Sequence, residues 1–415
     1  MTNKPLKLSP DEATFIGTTP SRKPVYVPDN AKHVFVCGTT GSGKTVALSN
    51  YIKNAIDKDY PLLIVDGKGD IGSGSMLDIT RKFTAQSNKK LYVINLNDPK
   101  HSDKYNLFQN TSPTTVKDML INMTDWSEEH YKLNTERYLQ RVVSILHKFN
   151  VKLSFRSIIK CMQTDKFISA SLELLKSEQI TKEQHQENIE LAKSSGKISE
   201  SAVARFATIA ESEIGQIFSK DGIDIYTALQ ENAVILFVLN PLLYPEISPA
   251  LGRLLMIDSK KAVNNLFGND RRKFFIYDEI SSYASNSLLD LVNKSRSANV
   301  TCVLATQSLS DLDAVSEHFK EQVIENCNNY IVLRQNSSSN AEQWAGILGT
   351  RNTMEVTHQL QQRGLSTSET GFGSARLVRE FFYHPDEIKI LQTGKGIYMS
   401  KDNYFHSKVT IHKPF

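Results

Sequence analysis

Cysteine is scarce in this sequence, and the few cysteines are widely separated. The 415 residues include four, at Cys37, Cys161, Cys302 and Cys327. None belongs to a Cys-x-x-Cys pair or lies near histidines at the spacing of a zinc site, and two lie within apolar runs, where a small, buried, reduced thiol is the expected role. The sequence therefore excludes a disulfide framework and a cysteine-based metal site, and it favours a reducing compartment.

Long apolar runs and a strong charge of either sign are also missing. No segment approaches the roughly 20 apolar residues of a membrane span, and the N-terminal MTNKPLKLSPDEA lacks the apolar core of a signal peptide. The net charge is only +4, from 49 Lys and Arg against 45 Asp and Glu, which permits a nucleic-acid partner without indicating one. We expect a soluble, cytoplasmic chain, whose role at the inner face of a membrane would depend on a partner or on a segment absent here.

Short apolar runs that alternate with helical patterns organise most of the chain. Runs such as HVFVC, PLLIVDG, LYVINL, NAVILFVLN, KFFIYDE, VTCVLAT and NNYIVLR are typical of strands covered on both faces. Connected by helices, they predict an α/β protein with a mainly parallel, doubly wound sheet. From about 112 to 214 the patterns are helical only. We therefore predict the first part of an α/β domain at 1–111, an all-α inserted domain at 112–214 and the rest of the α/β domain at 215–415.

The two ends of the chain carry weaker signals. Before residue 33, ATFIG and PVYVP are predicted to be short extended segments. After Arg334 the chain becomes polar, and the Gly/Ser/Thr-rich stretch RGLSTSETGFGSAR is predicted to be a loop. The segments GKGIYMS and HSKVTIH, close to the C-terminus, are candidate strands of one hairpin.

The strongest motif is GTTGSGKT, which matches Gly-x-x-x-x-Gly-Lys-Ser/Thr in full. The predicted nucleotide-binding residues are Gly38, Thr39, Thr40, Gly41, Ser42, Gly43, Lys44 and Thr45. The glycines allow a tight turn whose N–H groups face phosphate oxygens, and the following helix adds the positive end of its dipole. Lys44 is expected to reach the β- and γ-phosphates of ATP, and Thr45 to bind Mg²⁺. A Gly-rich turn without a nucleotide is the alternative, but the buried strand before the motif and the amphipathic helix after it favour the phosphate site.

Four residues at or near strand ends are candidate catalytic groups. KFFIYDE ends in Asp278 and Glu279, at the edge where open α/β sheets bind ligands. We expect Asp278 on the Mg²⁺ side and Glu279 as the general base for the attacking water; two solvated carboxylates are the alternative. Gln307, after VTCVLAT, is a candidate sensor of the γ-phosphate or a structural amide. Arg296 is a candidate for donation to a neighbouring subunit's site, or a solvated helix-end side chain.

Together these motifs resemble the conjugative coupling ATPases of the TraG/TraD type, within the FtsK–HerA class of RecA-like DNA pumps. GTTGSGKT, LLIVDGKGD, DKYNLF, KFFIYDE, VLATQS and HPDEIKILQTGKG carry the resemblance, which spans most of residues 14–412. It implies a RecA-like P-loop NTPase domain with an inserted all-α domain, and ATP and Mg²⁺ as ligands. It also implies that Gln307 is the coupling sensor and that Arg296 acts in trans.

The resemblance further implies a homohexameric ring that passes single- or double-stranded DNA through its centre, with the helical domain facing a relaxase or relaxosome protein. DNA contacts need basic residues on loops that face the pore. Lys68, Arg271 and Arg272 are candidates, with ordinary solvated charge as the alternative for each. Family members commonly carry two N-terminal transmembrane helices, which this chain lacks. We therefore expect a soluble member, or one that docks on a separate membrane subunit of a secretion channel.

Three functions are compatible with the sequence. The first is an ATP-hydrolysing translocase that recruits and pumps DNA in conjugative transfer or type IV secretion. The second is an ATP-dependent recruitment receptor that hands its substrate to a channel without pumping. The third is a HerA-type motor on double-stranded DNA. Intact Glu279, Gln307 and Arg296 favour hydrolysis, and the helical insertion with HPDEIKIL favours the conjugative branch over the third function.

Overall fold

The computed structural model describes residues 8–30, 32–123, 126, 128–363 and 366–415. The strands are β1 (Ala13–Thr18), β2 (Pro24–Pro28), β3 (His33–Cys37), β4 (Leu62–Asp66), β5 (Leu91–Asn95), β6 (Val234–Val238), β7 (Lys273–Asp278), β8 (Val300–Thr306), β9 (Cys327–Val332), β10 (Thr350–Arg363), β11 (Ser366–Phe381), β12 (Lys395–Ser400) and β13 (Phe405–Ile411). Within these residues, eleven strands form one sheet in the order β2-β1-β13-β12-β9-β3-β8-β7-β4-β6-β5, while β10 and β11 form a separate pair.

The larger part of the sheet is parallel. In the described residues, the seven strands from β9 to β5 in that order all run in the same direction. Strands β3, β4, β6, β7 and β8 are buried at every position, because helices cover both faces and leave no polar side to alternate with. The predicted α/β class with a mainly parallel sheet is confirmed.

One edge of the sheet is antiparallel and brings both ends of the chain together. Strand β12 pairs with β9, β13 with β12, β1 with β13, and β2 with β1. The predicted hairpin of GKGIYMS and HSKVTIH is therefore confirmed, as are the two extended segments near the N-terminus. The C-terminal strands lie next to β9, which in turn borders β3.

Helices connect the parallel strands. The described helices are α1 (Lys44–Asp57), α2 (Met76–Ala85), α3 (Pro113–Asn122), α4 (Glu129–Lys148), α5 (Phe155–Met162), α6 (Thr164–Lys176), α7 (Lys182–Ser195), α8 (Glu200–Glu211), α9 (Ile225–Gln230), α10 (Ile247–Asn265), α11 (Asn286–Ser295), α12 (Ser310–Asp313), α13 (Phe319–Asn326), α14 (Ser338–Leu348) and α15 (Pro385–Lys389). Among the described residues, no helix combines the length and the hydropathy needed to cross a bilayer.

Helices α3 to α8 all lie between β5 and β6 in the chain, where the sequence predicts a helical insertion. Ser112, Ser154 and Thr181 begin three of them, and each side chain accepts a hydrogen bond from an N–H in the first turn. Their buried side chains join the same apolar core as Phe35 and Val65 of the sheet, whereas α1 and α2 cover the opposite face. The domain boundaries at 112 and 214 stay predictions.

The prediction of a loop for the Gly/Ser/Thr-rich stretch is wrong for the described residues. Strands β10 and β11 pair antiparallel from Thr350 opposite Phe381 to Arg363 opposite Ser366. Arg376 Nη2 lies 2.7 Å from Glu355 Oε2 directly across the two strands, and such cross-strand pairs stabilise a hairpin. The partner strand lies upstream of the polar stretch, so local composition does not reveal the pairing. Residues 364 and 365 lie outside the described residues.

Candidate nucleotide-binding site

The segment 38–45, called here the phosphate loop, connects the buried strand β3 to α1, as its motif predicts. Gly41 and Gly43 have φ angles of 74° and 111°, in the left-handed region that favours glycine. At Gly38, a Cβ would lie 2.5 Å from the Cβ of Leu333, just beyond β9. The loop therefore needs these glycines for its turn and for its close approach to the neighbouring strand.

Two polar groups of this loop fit a polyphosphate. The Lys44 ammonium donates to the carbonyl oxygen of Gly38 at 2.7 Å, and it has two further donors. The hydroxyl of Thr39 is buried and has no hydrogen-bond partner among the described residues, although a buried hydroxyl normally has one. Phosphate oxygens would satisfy both groups, and the N-terminus of α1 adds the positive end of its dipole.

A pair of buried aspartates lies beside the loop. Asp66 and Asp278 end the neighbouring parallel strands β4 and β7 and are partners in the register. Burial raises the pKa of Asp66 to about 6. Burial, with the nearby charges of Asp66 and Glu279, raises the pKa of Asp278 to about 7. Two carboxylates so close resist full ionisation unless a cation joins them.

The donor set at this position fits Mg²⁺. Thr45, Asp66 and Asp278 line one cleft of about 340 Å³ together with the loop that follows β4. Carboxylate and hydroxyl oxygens are ligands that Mg²⁺ accepts, usually with several waters retained. The structure thus brings together Thr45 and Asp278, the two predicted metal-side residues, and adds Asp66 to them.

Glu279 is connected to the phosphate loop through Gln307. The φ angle of Glu279 is 52°, which lies in the left-handed region, an unusual backbone conformation for a residue other than glycine. Gln307 Nε2 donates to Glu279 Oε2 at 3.1 Å, and Thr40 Oγ1 donates to Gln307 Oε1 at 3.2 Å. The amide therefore bridges the carboxylate and the loop. Ser281 Oγ also donates to Glu279 Oε1, at 3.3 Å.

Sequence reasoning named Thr40 as a nucleotide-binding residue but missed its bond to Gln307, and it missed Asp66 as a part of this connected site. Asp66 was named only within the motif LLIVDGKGD, yet its Oδ1 accepts the N–H groups of Lys68 and Gly69 at 3.0 and 3.2 Å. One signal was present in the sequence, because LLIVD and KFFIYD are both apolar strands that end in aspartate. The bond from Thr40 to Gln307 has no comparable signal, since it joins residues 267 positions apart.

Arg296 does not reach the site of its own chain. It is exposed and precedes β8, whereas Gln307 follows the same strand. The seven residues of β8 span about 23 Å at roughly 3.3 Å per residue. Arg296 therefore lies at the amino end of the parallel strands, whereas the phosphate loop lies at their carboxyl end.

The three candidate DNA contacts lie in two separate places. Lys68 lies in the cleft beside the aspartates, and its ammonium forms an ion pair with Asp70. Arg271 and Arg272 precede β7, at the amino end of the parallel strands, opposite the end that carries the phosphate loop. Arg271 Nη2 lies 2.9 Å from Asp59 Oδ2, and Arg272 is half-buried. The structure therefore does not bring the three residues together within one chain.

Known proteins similar to this chain share its fold. The conjugative coupling protein TrwB in its unbound form is 16% identical, with a TM-score of 0.69 over 97% of this chain and 90% of that chain. TrwB in complex with ADP and Mg2+ is 18% identical, with a TM-score of 0.65 over 94% and 88%. The expected fold, a RecA-like P-loop NTPase domain with an all-α part, is confirmed.

One known protein and two family models each match a part of the chain. An uncharacterized protein of Mycoplasma pneumoniae is 27% identical over 141 residues, which are 34% of this chain and 87% of that protein. The model described as the TraM recognition site of TraD and TraG matches residues 272–392. The model described as the central domain of the helicase HerA matches residues 16–236, more than half of the chain. The resemblance to HerA-class and TraG/TraD-type ATPases is confirmed, and the chain belongs to the family of the HerA central domain.

Proposed function

We propose that this chain is an ATPase that recruits and pumps DNA as the coupling protein of conjugative transfer or type IV secretion. The observation that carries the proposal is the connection from Thr40 through Gln307 to Glu279, at 3.2 and 3.1 Å. A site that only held a nucleotide would not need its carboxylate joined to the phosphate loop. Such a connection suits a motor, because it lets the state of the γ-phosphate change the position of the carboxylate.

ATP and Mg²⁺ are the substrate and the cofactor that the site fits. Lys44 would donate its two further N–H groups to phosphate oxygens, while Thr45, Asp66 and Asp278 would hold the metal and its waters. When bound, Mg²⁺ neutralises charge on the β- and γ-phosphates. Binding of the cation would also favour the ionised forms of both aspartates, whose pKa values are raised without it. TrwB, known in complex with ADP and Mg2+, supports this assignment.

Glu279 is the proposed general base. It lies directly after Asp278 and is largely buried, so its carboxylate can orient a water and accept its proton close to the γ-phosphate. Gln307 holds one of its oxygens, and Thr40 holds the other end of the amide. We propose that contact of the γ-phosphate with the loop shifts this amide and thereby signals whether ATP is intact.

Arg296 is proposed to act on the site of a neighbouring subunit in a homohexamer. It is exposed at the amino end of the parallel strands, opposite the end that carries its own phosphate loop. In a ring of identical subunits packed head to tail, each interface joins two different surfaces, and we propose that the surface carrying Arg296 meets the next subunit's nucleotide site. A guanidinium supplied there would neutralise the charge that develops on the γ-phosphate.

DNA, single- or double-stranded, is the proposed substrate of the motor. Lys68, Arg271 and Arg272 stay the proposed contacts. Because Asp70 and Asp59 pair with the first two, phosphate contact would have to replace those ion pairs. The net gain from either side chain would then be smaller than from an unpaired cation.

The proposed partners are a relaxase or relaxosome protein and a separate membrane subunit of a secretion channel. The match to the TraM recognition site over residues 272–392 supports a relaxosome partner. We propose a cytoplasmic location, peripheral at the inner face of the membrane. We also propose that 112–214 is the helical domain that faces the relaxosome, between the ATPase parts at 1–111 and 215–415.

A HerA-type motor on double-stranded DNA is the second candidate function. The match of the HerA central domain over residues 16–236 favours it. The matched segment includes the phosphate loop and the whole predicted helical insertion at 112–214, but not the strand that ends in Asp278. Both candidates require ATP hydrolysis, and they differ in the form of DNA that stimulates it.

The deciding experiment measures the ATPase rate of the purified chain without DNA, with single-stranded DNA and with double-stranded DNA, at low and moderate salt. We expect severalfold stimulation by DNA; a preference for duplex would favour the HerA-type motor. ATP binding without any response to DNA would favour the recruitment receptor and contradict pumping.

Two variants test the site itself. Lys44→Ala is expected to lose both ATP binding and turnover, because it removes the ammonium that reaches the phosphates. Glu279→Gln should lose turnover but retain ATP binding, because the amide keeps the shape and removes the base. Strong hydrolysis by Glu279→Gln would contradict the role of that carboxylate.

A further inference from the structure

A tight turn near the C-terminus contacts the phosphate loop from outside. It follows α15 and leads directly into β12. Thr393 Oγ1 donates to the carbonyl oxygen of Gly41 at 3.0 Å, and the N–H of Gly394 donates to the carbonyl oxygen of Ser42 at 3.0 Å. The approach is close, since a Cβ on Gly43 would lie 3.2 Å from the nitrogen of Gly394.

These two bonds hold successive peptide planes of the phosphate loop. In a trans peptide the C=O and the N–H point in opposite directions. The bond to the Ser42 carbonyl therefore directs the N–H of Gly43 away from the turn, toward the phosphate side. That N–H has no hydrogen-bond partner among the described residues. The bond to the Gly41 carbonyl acts on the preceding plane, whose N–H donates to Thr39 O at 3.1 Å.

The turn is itself held in place by the antiparallel edge of the sheet. The carbonyl of Gly394 accepts the N–H of Ile411 at 2.8 Å, and the N–H of Lys395 closes the turn on Gln392 O at 2.9 Å. Gly394 has a φ of 75°, which glycine adopts without strain. The loop thus rests on a support built from β12 and β13, not only on β3 and α1.

We propose that Thr393 and Gly394 are positioning residues, which preorganise the phosphate loop for the nucleotide from the C-terminal turn. Gly394 donates to the Ser42 carbonyl and so directs the N–H of Gly43 toward the phosphate side, while Thr393 donates to the Gly41 carbonyl and holds the preceding peptide plane, to which that of Gly43 is joined. Donors that are already oriented bind an anion without a reorganisation cost. The inference rests on the proposed nucleotide site.

The hydroxyl of Thr393 provides a clean test, because the side chain is exposed and its replacement should leave the fold intact. Thr393→Val removes the donor at nearly constant shape, and Thr393→Ser restores it. Thr410→Val, at an exposed position of the adjacent strand β13, is the matched control. The probe is a fluorescent, non-hydrolysable ATP analogue with Mg²⁺, titrated against the full chain.

We expect Thr393→Val to weaken analogue binding about three- to tenfold, the range of one neutral hydrogen bond. Thr393→Ser and Thr410→Val should bind as the parent chain does. Unchanged affinity in Thr393→Val, or an equal loss in Thr393→Ser, would overturn the proposal. Amide hydrogen exchange of Gly43 adds a direct measurement, which should be faster in the Val variant.

A kinetic measurement separates positioning from chemistry. Thr393→Val should raise KM for ATP and leave kcat at saturating ATP nearly unchanged; a fall in kcat at constant KM would contradict positioning. The proposed function fails separately, if the parent chain binds the analogue but hydrolyses no ATP. In that event the binding comparison still decides the role of Thr393.

Discussion

Acidification is expected to destabilise this protein through His33, the first residue of β3. The residue is only 5% exposed. Its Nε2 lies 2.8 Å from the carbonyl oxygen of Val292, and its Nδ1 lies 3.1 Å from the backbone nitrogen of Cys302. A carbonyl can only accept and an N–H can only donate, so the neutral ring carries its hydrogen on Nε2. A second proton, on Nδ1, would face the N–H of Cys302.

The size of the effect follows from the pKa. Burial, with help from the nearby charge of Arg296, lowers the pKa of His33 from 6.5 to about 4, and the bond to Val292 opposes the shift. The unfolded chain therefore binds this proton at a higher pH than the folded one. The free energy of unfolding is unaffected well above pH 6.5, falls as the pH drops toward 4 and levels off below it. At about 1.36 kcal/mol per unit, the full loss is about 3 kcal/mol.

The assay compares urea unfolding of the parent chain and of His33→Gln at pH 7.5 and pH 4.5. Glutamine supplies one donor and one acceptor but does not titrate. Between pH 7.5 and pH 4.5, the parent chain should lose about 2.5 kcal/mol more unfolding free energy than the variant does. The comparison cancels other titrating groups, including the buried aspartates Asp66 and Asp278. Parallel pH profiles of the two proteins would refute the reasoning.

Three further predictions concern the site. Gln307→Leu should retain ATP binding and lose about ten- to a hundredfold in kcat, the range of a hydrogen bond to a charged group; an unchanged kcat would contradict the sensor. Arg296→Ala and Lys44→Ala should each be inactive alone and regain ATPase activity when mixed, and a mixture without activity would contradict action in trans. Gly69→Ala places a Cβ 1.8 Å from a backbone oxygen at a φ of 74° and should lower the melting temperature. Gly72→Ala, which meets nothing within 4 Å, is the control, and equal melting temperatures would contradict the argument.

Much of the site could be predicted because its chemistry is local. The loop from Gly38 to Thr45 is one continuous segment, and the apolar strand before it supplies its own context. Asp278 and Glu279 could be placed by the rule that parallel strands present their carboxyl ends at one edge. The same rule would have selected Asp66, since it ends β4 in the same way.

The long hairpin could not be predicted in the same way. Glycine, serine and threonine in RGLSTSETGFGSAR indicate a loop when that stretch is considered alone. Its pairing depends on β10, and ion pairs such as Arg351 with Glu380 form only when the two strands are in register. A strand of mixed composition takes its structure from its partner, because strand propensity depends strongly on context.

The amino-acid sequence by itself determined the α/β class, the phosphate loop and the helical insertion, since periodicity and turn chemistry act over a few neighbouring residues. Only the tertiary structure decided that Gln307 bridges Thr40 and Glu279, that Asp66 faces Asp278, and that the turn at 392–395 supports the loop. Those contacts join residues far apart in the chain. They depend on strand order and register, which arise from the packing of the whole sheet.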